Sequence, residues 1–187
     1  MKINLQTAQK EIHKTAVEKG WWCKGDRNFG EICSLFHSEV SEAFDEYMKF
    51  GRFRLNEIYY NNDKPNKPEG FVVELLDFVI RYLDWSEYNK LQSGSTIKSL
   101  YNIEKIRKAD YRDDLLCIHL HKDISDAFEL YRNGGTKFEI CKSLNKACLR
   151  IFKWAENYHN PIDINNILEI KMEYNKSRSY RHGNKKA

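Results

Sequence analysis

Proline, glycine and long apolar runs are scarce in this sequence of 187 residues. Three prolines and nine glycines are too few for a collagen-like or low-complexity chain, and 41% hydrophobic residues are too many for a wholly disordered one. No stretch approaches the roughly 18 uninterrupted apolar residues of a membrane helix, and the polar first segment lacks the apolar core of a secretory signal. We therefore expect a globular protein in the cytoplasm, without a membrane partner.

Cysteine pairs are also missing. The five cysteines are an odd number, and no two of them form a C-x-x-C motif. This pattern argues against a disulfide framework and against a cysteine-rich zinc site. We expect reduced thiols that mostly pack in the core.

Acidic residues are nearly absent from the C-terminal segment. The formal net charge is +4, and residues 171–187 hold six lysines and arginines against Glu173 alone. This segment therefore sums to +5 and the rest of the chain to −1. A nearly neutral body with a basic arm predicts an anionic partner bound at one place and argues against a general nucleic-acid surface.

Strand-like alternation is almost absent, whereas apolar residues recur at helical spacing nearly throughout. The pattern predicts an all-α helical bundle with helices over residues 4–19 and 29–50. A third helix would contain Pro68 in its first turn, and a last helix would be capped by Asp163. The stretches between them are predicted to be a polar loop over residues 52–70 and a linker over residues 93–102.

The second half of the chain echoes the first. Residues 125–131 repeat the pattern of residues 41–47 at an offset of 84, which also places His121 on His37 and Asp123 on Glu39. Matching Trp154 to Trp85 gives three further pairs, namely Ser143 on Glu74, Lys146 on Asp77 and Arg150 on Arg81. One interpretation is a degenerate repeat of a helical hairpin; chance resemblance between two amphipathic hairpins is the alternative.

This echo divides the chain into parts of one domain. We predict a single all-α domain over residues 1–187. Residues 1–92 form its catalytic half, residues 93–170 the degenerate half, and residues 171–187 the basic arm.

Five carboxylates are candidates for chemistry. Glu39, Glu42 and Glu46 lie on one stripe of the second helix, and Glu74 and Asp77 share a face of the third. The stripe alone is typical of a solvated helix face. The third helix is apolar on nearly all sides, so its carboxylates need compensation by lysine and arginine or by a divalent metal. Oxygen-only ligands favour a hard cation such as Mg²⁺.

Two segments carry a family resemblance. HSEVSEAFDEYMKFG, followed by GFVVELLDFVIR, resembles the MazG-like branch of the all-α nucleoside triphosphate pyrophosphohydrolases. EIHKTAVEKGWW and the basic C-terminal segment resemble the flanking parts of such proteins. The resemblance implies Mg²⁺-dependent hydrolysis of (deoxy)nucleoside triphosphates to the monophosphate and pyrophosphate, with Mn²⁺ as an alternative metal.

The family motifs imply roles for the five acids. Glu39 and Glu42 match two acids of the first motif, and Glu74 and Asp77 match the second motif. Ser38 occupies the place of the first motif's leading Glu, so Glu46, one turn further on, is the candidate to replace it as a metal ligand. One carboxylate would act as general base, for which Glu42 and Glu39 are the candidates.

Residues near the C-terminus are candidates for phosphate binding. Lys171, Asn175 and Arg178 are spaced to share a helix face, and Arg181 and His182 follow them on the basic arm. A triphosphate carries about four negative charges, so donors beyond the metal are needed. A solubilising tail is the alternative for the last lysines.

Two tryptophans follow the first helix. Either Trp21 or Trp22 can stack on a base while the other packs in the core, and Trp22 is the one that we predict to bind substrate. Packing of both rings is the alternative.

Other classes of protein remain as competitors. A di-iron bundle needs E-x-x-H on two helices, and the sequence offers only Glu156 with His159 at a helix end. A non-catalytic module that binds a nucleotide or nucleic acid through the basic tail is the second competitor. Leftover apolar helix faces favour a homodimer, although a fused second hairpin allows a monomer.

Overall fold

A computed structural model describes residues 4–23, 27–103 and 112–181. These residues form seven helices and one two-stranded antiparallel sheet. The elements are α1 (Leu5–Glu18), α2 (Phe29–Phe50), β1 (Tyr59–Asn61), β2 (Lys64–Glu69), α3 (Phe71–Tyr88), α4 (Ser93–Ile103), α5 (Asp113–Arg132), α6 (Lys137–Asn157) and α7 (Ile164–Ser177). The prediction of a mostly helical fold is confirmed. Within the described ranges, no helix combines the length and apolarity needed to cross a membrane.

Local signals set the ends of the first two helices. The Asn4 side chain accepts hydrogen bonds from two backbone amides at the start of α1, and Gly20 follows that helix with a φ of +81°. Asn28 caps α2 in the same way, and Gly51 ends it. Helix α2 therefore has the bounds that its apolar spacing predicts.

Two helical hairpins form the centre of the fold. Helix α2 packs along α3, α5 packs along α6, and α2 also contacts α5. The core of the first hairpin includes the edge-to-face pair of Phe36 and Phe78, both fully buried. Where α2 meets α5, the Nδ1 atoms of His37 and His121 lie 2.8 Å apart. The outer helices then cover these hairpins, with α1 and α7 against α3 and α4 against α6.

The predicted polar loop contains a β-hairpin, and the placement of Pro68 in the third helix is wrong. Pro68 lies in β2 opposite Tyr60, and α3 begins only at Phe71. A proline without an N–H is tolerated there because the sheet has only two strands, each with a free edge. Gly70 precedes α3 with a φ of +135°, and a side chain at this position would collide with the carbonyl oxygen of Glu57.

The predicted linker over residues 93–102 is also wrong, because this segment forms α4. Ile97 is fully buried, and Ser93 Oγ lies 2.7 Å from the hydroxyl of Tyr82 on α3. The backbone amide of Gly94 donates to Gln9 Oε1 on α1 over 2.8 Å. Contacts with residues distant in sequence stabilise this polar helix. Its own apolar pattern is therefore too weak to predict it.

The last helix starts as predicted. The Asp163 side chain accepts from the amides of Asn165 and Asn166 and caps α7. Helix α7 packs against α3 and β2, which brings the start of the basic arm to the first hairpin. Four of the five cysteines are buried free thiols, and Cys23 is exposed.

Candidate functional site

Three carboxylates converge between α2 and α3. Glu39 comes from α2, and Glu74 and Asp77 lie one turn apart on α3. One carboxylate oxygen from each residue lies within 4.8 Å of those of the other two. Glu39 and Glu74 are each only 3% exposed, because the apolar faces of the two helices pack around them. The structure thus brings together three of the five acids that the sequence singles out.

Two cationic side chains form ion pairs with this cluster. Arg81 Nε lies 2.5 Å from Glu39 Oε1, and Lys171 Nζ lies 2.7 Å from Asp77 Oδ2. Lys171 is only 1% exposed, so its ammonium group is part of the protein interior. Burying a charge is favourable only with a close partner, and here each cation has a carboxylate. Lysine and arginine therefore supply part of the compensation that the buried acids need.

A third cation comes from the β-hairpin. Lys67 on β2 lies 2.8 Å from Glu69 Oε1 and 3.9 Å from Glu74 Oε1. Glu74 therefore has a more distant cationic partner than either of the other two acids. Its carboxylate is the least compensated member of the cluster.

The cluster holds protons more tightly than isolated carboxyls do. Burial, together with the charge of Asp77, raises the pKa of Glu74 to about 8 against the opposing effects of Lys171 and Lys67. Burial also raises the pKa of Glu39, and the net value is about 7 with the opposing effect of Arg81 included. Crowded, desolvated carboxylates with raised pKa values gain from any additional cation, since a cation stabilises their ionised forms.

A cleft opens beside the cluster between α1, α3 and α7. Its volume is about 780 Å³, including the part that is open to solvent, and Asp77 is one of the residues that line it. Four cationic side chains line it, namely Lys19, Arg27, Arg81 and Arg178. Asp77 and Asp84 are the acidic residues of the described lining, so four cations face two carboxylates and the net charge of the lining is positive.

Two of the five predicted phosphate-binding residues line this cleft. Asn175 and Arg178 line it, whereas Lys171 is bound to Asp77 beside it. Arg181 lies at the turn after α1, where its backbone amide donates to Lys19 O over 3.0 Å and its side chain contacts Cys23 Sγ. His182 lies outside the described residues.

The two tryptophans take different places. Trp21 lines the cleft, and Trp22 stacks on Tyr88 with 3.9 Å between ring centroids. The indole Nε1 of Trp22 donates to Asp84 Oδ1 over 2.9 Å. Trp22 therefore binds Asp84, and Asp84 lines the cleft.

Glu42 and Glu46 lie apart from the three converging acids. Glu42 is exposed, although its charge is near enough to raise the pKa of Glu39. Glu46 faces the β-hairpin, where it accepts from the Tyr59 hydroxyl over 2.8 Å. The structure thus leaves Glu42 at the edge of the cluster and turns Glu46 toward a different neighbour.

Several site residues are not among those predicted from the sequence. Arg81 lies one turn after Asp77 on the same face of α3, so helical spacing alone was a sufficient signal for it. Lys67 and Arg27 carried no such signal, because the β-hairpin and the turn before α2 bring them to the site. Their positions depend on tertiary structure.

The second hairpin contains a related ion pair. Asp123 is 1% exposed, and its carboxylate lies 2.6 Å from Arg150 Nε and 3.1 Å from Lys146 Nζ. Asp123 and Arg150 are the positions that the echo matches to Glu39 and Arg81. Here a lysine stands at the position matched to Asp77, and it binds the buried acid.

No protein-family model matches this chain, and neither does any curated protein or any solved structure.

Proposed function

We propose that this protein is a Mg²⁺-dependent nucleoside triphosphate pyrophosphohydrolase, which converts (deoxy)nucleoside triphosphates to the monophosphate and pyrophosphate. The observation that carries the proposal is the buried cluster of Glu39, Glu74 and Asp77, which meets a cationic cleft at Asp77. A metal site next to a positive cleft suits a substrate with several phosphates. The resemblance of the two acidic segments to MazG-like enzymes supports the same reading.

The donor set suits a hard divalent cation. Glu39, Glu74 and Asp77 offer only oxygen ligands, and the charge of Glu42 acts on Glu39 from the edge of the cluster. Mutual repulsion and burial raise the proton affinity of Glu39 and Glu74, and a bound cation relieves both effects. When bound, Mg²⁺ or Mn²⁺ supplies positive charge to phosphate oxygens and to the departing pyrophosphate.

The remaining chemistry belongs to the chain's own side chains. Arg178 and Lys19 donate to phosphate oxygens in the cleft, and Asn175 adds a neutral donor. Water attacks the α-phosphorus, the phosphoanhydride bond between the α- and β-phosphates breaks, and pyrophosphate leaves with the bonding electrons. A carboxylate accepts the proton of that water. We assign this role to Glu42, because it is exposed and not engaged by Arg81 as Glu39 is.

We also propose that α5–α6 is a degenerate copy of α2–α3. The buried pairs Glu39–Arg81 and Asp123–Arg150 occupy matched positions, which supports this relation. In the second copy Lys146 replaces an acid and provides a fixed positive charge next to Asp123. A copy of this kind would retain the packing role of the hairpin without a metal site.

Product analysis tests the enzyme proposal. The protein with Mg²⁺ is incubated with each ribo- and deoxyribonucleoside triphosphate, and anion-exchange chromatography separates the products. We expect monophosphate and pyrophosphate in equal amounts from the wild type and none from Glu74→Gln. Glu129→Gln, an exposed acid paired with Arg132 on α5, is the matched control and should retain full activity. Absence of turnover with every nucleotide would exclude the enzyme.

A non-catalytic binding module is the second candidate. The observation that favours it is the existing compensation of the acids by Arg81 and Lys171, which allows the cluster to be structural. In that case the basic arm would bind a nucleotide or nucleic acid, and its affinity would fall steeply with salt. Binding titrations at several salt concentrations, combined with absence of turnover, would favour this module.

We propose a homodimer in preference to a monomer. Phe44 and Met48 are exposed apolar side chains one turn apart on α2, and Ile118 is exposed on the neighbouring α5. Their burial against a second copy would remove apolar surface from water. Sedimentation equilibrium of the wild type and of Met48→Glu tests this, since the charge should shift a dimer toward monomer.

A further inference from the structure

Lys171 contributes a positive charge inside the acidic cluster. Its Nζ atom lies 2.7 Å from Asp77 Oδ2, and its charge also opposes the burial that raises the pKa of Glu74. Asn175 and Arg178, further along the chain, line the cleft instead. The ammonium group of Lys171 is therefore placed among the carboxylates and apart from the cations of the cleft.

This ammonium group is fixed in the protein interior. The Lys171 side chain is 1% exposed, because α7 packs against α3 and β2 around it. Withdrawal from Asp77 would leave a buried charge without its close partner, which is strongly unfavourable. Lys171 therefore remains a counter-charge of the cluster whether or not a metal ion is bound.

The other two cations near the cluster are held less firmly. The Arg81 side chain is 41% exposed and also lines the cleft, so it can turn from the cluster toward an anion there. Lys67 is closer to Glu69, at 2.8 Å, than to Glu74, at 3.9 Å. Both can give way to an arriving cation, whereas Lys171 cannot.

The fixed charges of the cluster match a single divalent cation. When they are ionised, Glu39, Glu74 and Asp77 carry three negative charges, and Lys171 balances one of them. One Mg²⁺ neutralises the two that remain. A second Mg²⁺ would bring uncompensated positive charge into the interior, where an unbalanced charge is costly.

The position of the ammonium group leads to the same conclusion. Carboxylate oxygens bind Mg²⁺ at about 2.1 Å, and the metals of two-metal sites lie about 3.5–4 Å apart. Since Lys171 Nζ is 2.7 Å from Asp77 Oδ2, any ion on this oxygen would lie within about 5 Å of the ammonium group. The two like charges would repel each other across a desolvated space.

We propose that Lys171 takes the place of a second metal ion, so that the cluster holds a single divalent cation with the ammonium group as its fixed neighbour. The inference rests on the metal site of the proposed function. It gives Lys171 a role other than the phosphate binding that helical spacing predicts. Phosphate binding then belongs to cleft cations such as Lys19 and Arg178.

Titration with Mn²⁺ counts the bound ions without turnover. The full chain is stripped with EDTA and dialysed, and isothermal titration calorimetry gives the number of Mn²⁺ ions per chain. We expect one ion for the wild type and two for Lys171→Met, because loss of the ammonium group frees Asp77 Oδ2 and restores one negative charge. Lys176→Met, on the same helix with the exposed Glu173 as partner, is the matched control and should bind one.

The possible results separate this inference from the enzyme proposal. Two ions per wild-type chain, or one per chain of Lys171→Met, would overturn the inference and leave the enzyme proposal standing. One ion in the wild type and two in Lys171→Met, without hydrolysis of any triphosphate, would support the inference and exclude the enzyme. Absence of Mn²⁺ binding would overturn both.

Electron paramagnetic resonance of the wild type covers the case in which Lys171→Met does not fold. Two Mn²⁺ ions about 4 Å apart couple magnetically, whereas an isolated ion keeps its resolved hyperfine pattern. With two equivalents of Mn²⁺ per chain, we expect one bound ion with an uncoupled spectrum and one ion in solution. A coupled spectrum, with both ions bound, would contradict the role of Lys171.

Discussion

Lys171 Nζ lies 2.7 Å from Asp77 Oδ2 in the protein interior, so α7 is joined to the acidic cluster by a buried ion pair. The ammonium group provides positive charge at the place where the proposed metal would also bind. We therefore expect the C-terminal helix and the proposed metal site to be energetically linked.

This link predicts how Lys171→Met should behave. Removal of one partner leaves Asp77 beside two other acids, so the free energy of unfolding in EDTA should fall by about 3 kcal/mol. Millimolar Mg²⁺ should restore much of this loss, because a ligand that binds only the folded state stabilises it. Urea unfolding with and without Mg²⁺ measures both effects.

Lys176→Met is the control for this substitution. Lys176 lies on the same helix but pairs with the exposed Glu173. Its replacement should change stability by less than about 1 kcal/mol, with the wild-type response to Mg²⁺. A Lys171→Met protein that is as indifferent to Mg²⁺ as this control would contradict the link.

The raised pKa values of Glu39 and Glu74 predict a pH dependence of stability. Their folded pKa values of about 7 and about 8 exceed the usual 4.5. Between these limits the folded state holds more protons than the unfolded state, so the free energy of unfolding falls as pH rises. In EDTA, this contribution should decline from about pH 5 to about pH 8.

The difference between the wild type and Glu74→Gln isolates this effect from other titrating groups. His37 and His121 have pKa values lowered by burial, so they act in the opposite direction near pH 6.5 in both proteins. Chemical unfolding at a series of pH values should show a steeper decline in the wild type. The decline should be smaller in Mg²⁺. Identical profiles for the two proteins would refute the assignment.

The matched acids Glu39 and Asp123 should affect different properties, namely activity for Glu39 and stability for Asp123. Asp123→Asn removes the carboxylate that Arg150 Nε contacts, and should reduce stability by about 3 kcal/mol. Its kcat/KM, measured below the melting temperature, should stay within about 3-fold of the wild type. Glu39→Gln should lose at least about 100-fold in kcat, as expected if the residue is the metal ligand that we propose. Loss of activity in both variants would show that the second hairpin also takes part in the reaction.

The end of the described chain packs against Gly20 through the ring of Tyr180. The φ of Gly20 is +81°, and a side chain there would collide with the ring of Tyr180, next to Arg181. Gly20→Ala should therefore cost about 1 kcal/mol from the backbone and more from the collision. It should also raise KM, because Arg181 would lose its contact with Lys19, which lines the cleft.

Gly134→Ala supplies the matched control. Gly134 has a φ of +75° with open space around its position, so the backbone cost is similar and no ring is displaced. Both variants should lose stability, but only Gly20→Ala should make the bonds near Tyr180 more sensitive to limited proteolysis. Equal sensitivity in the two variants would contradict the contact.

Part of this molecule follows from local sequence alone. The bounds of α2, the cap at Asp163, and the shared face of Glu74 and Asp77 are all contained in helical spacing and end signals. Two acids in a helix that is apolar on nearly every side have to face a compensating partner, whatever the rest of the fold. The identity of that partner is not contained in the spacing.

The tertiary structure decided the rest. Helix α4 and the β-hairpin are polar segments whose conformation depends on contacts with distant residues, such as Gln9 with Gly94. The same is true of Lys67 beside Glu74, of Trp21 in the cleft and of Glu46 turned toward Tyr59. Sequence periodicity reports which side of an element is buried, whereas the choice of neighbour depends on how the elements pack in three dimensions.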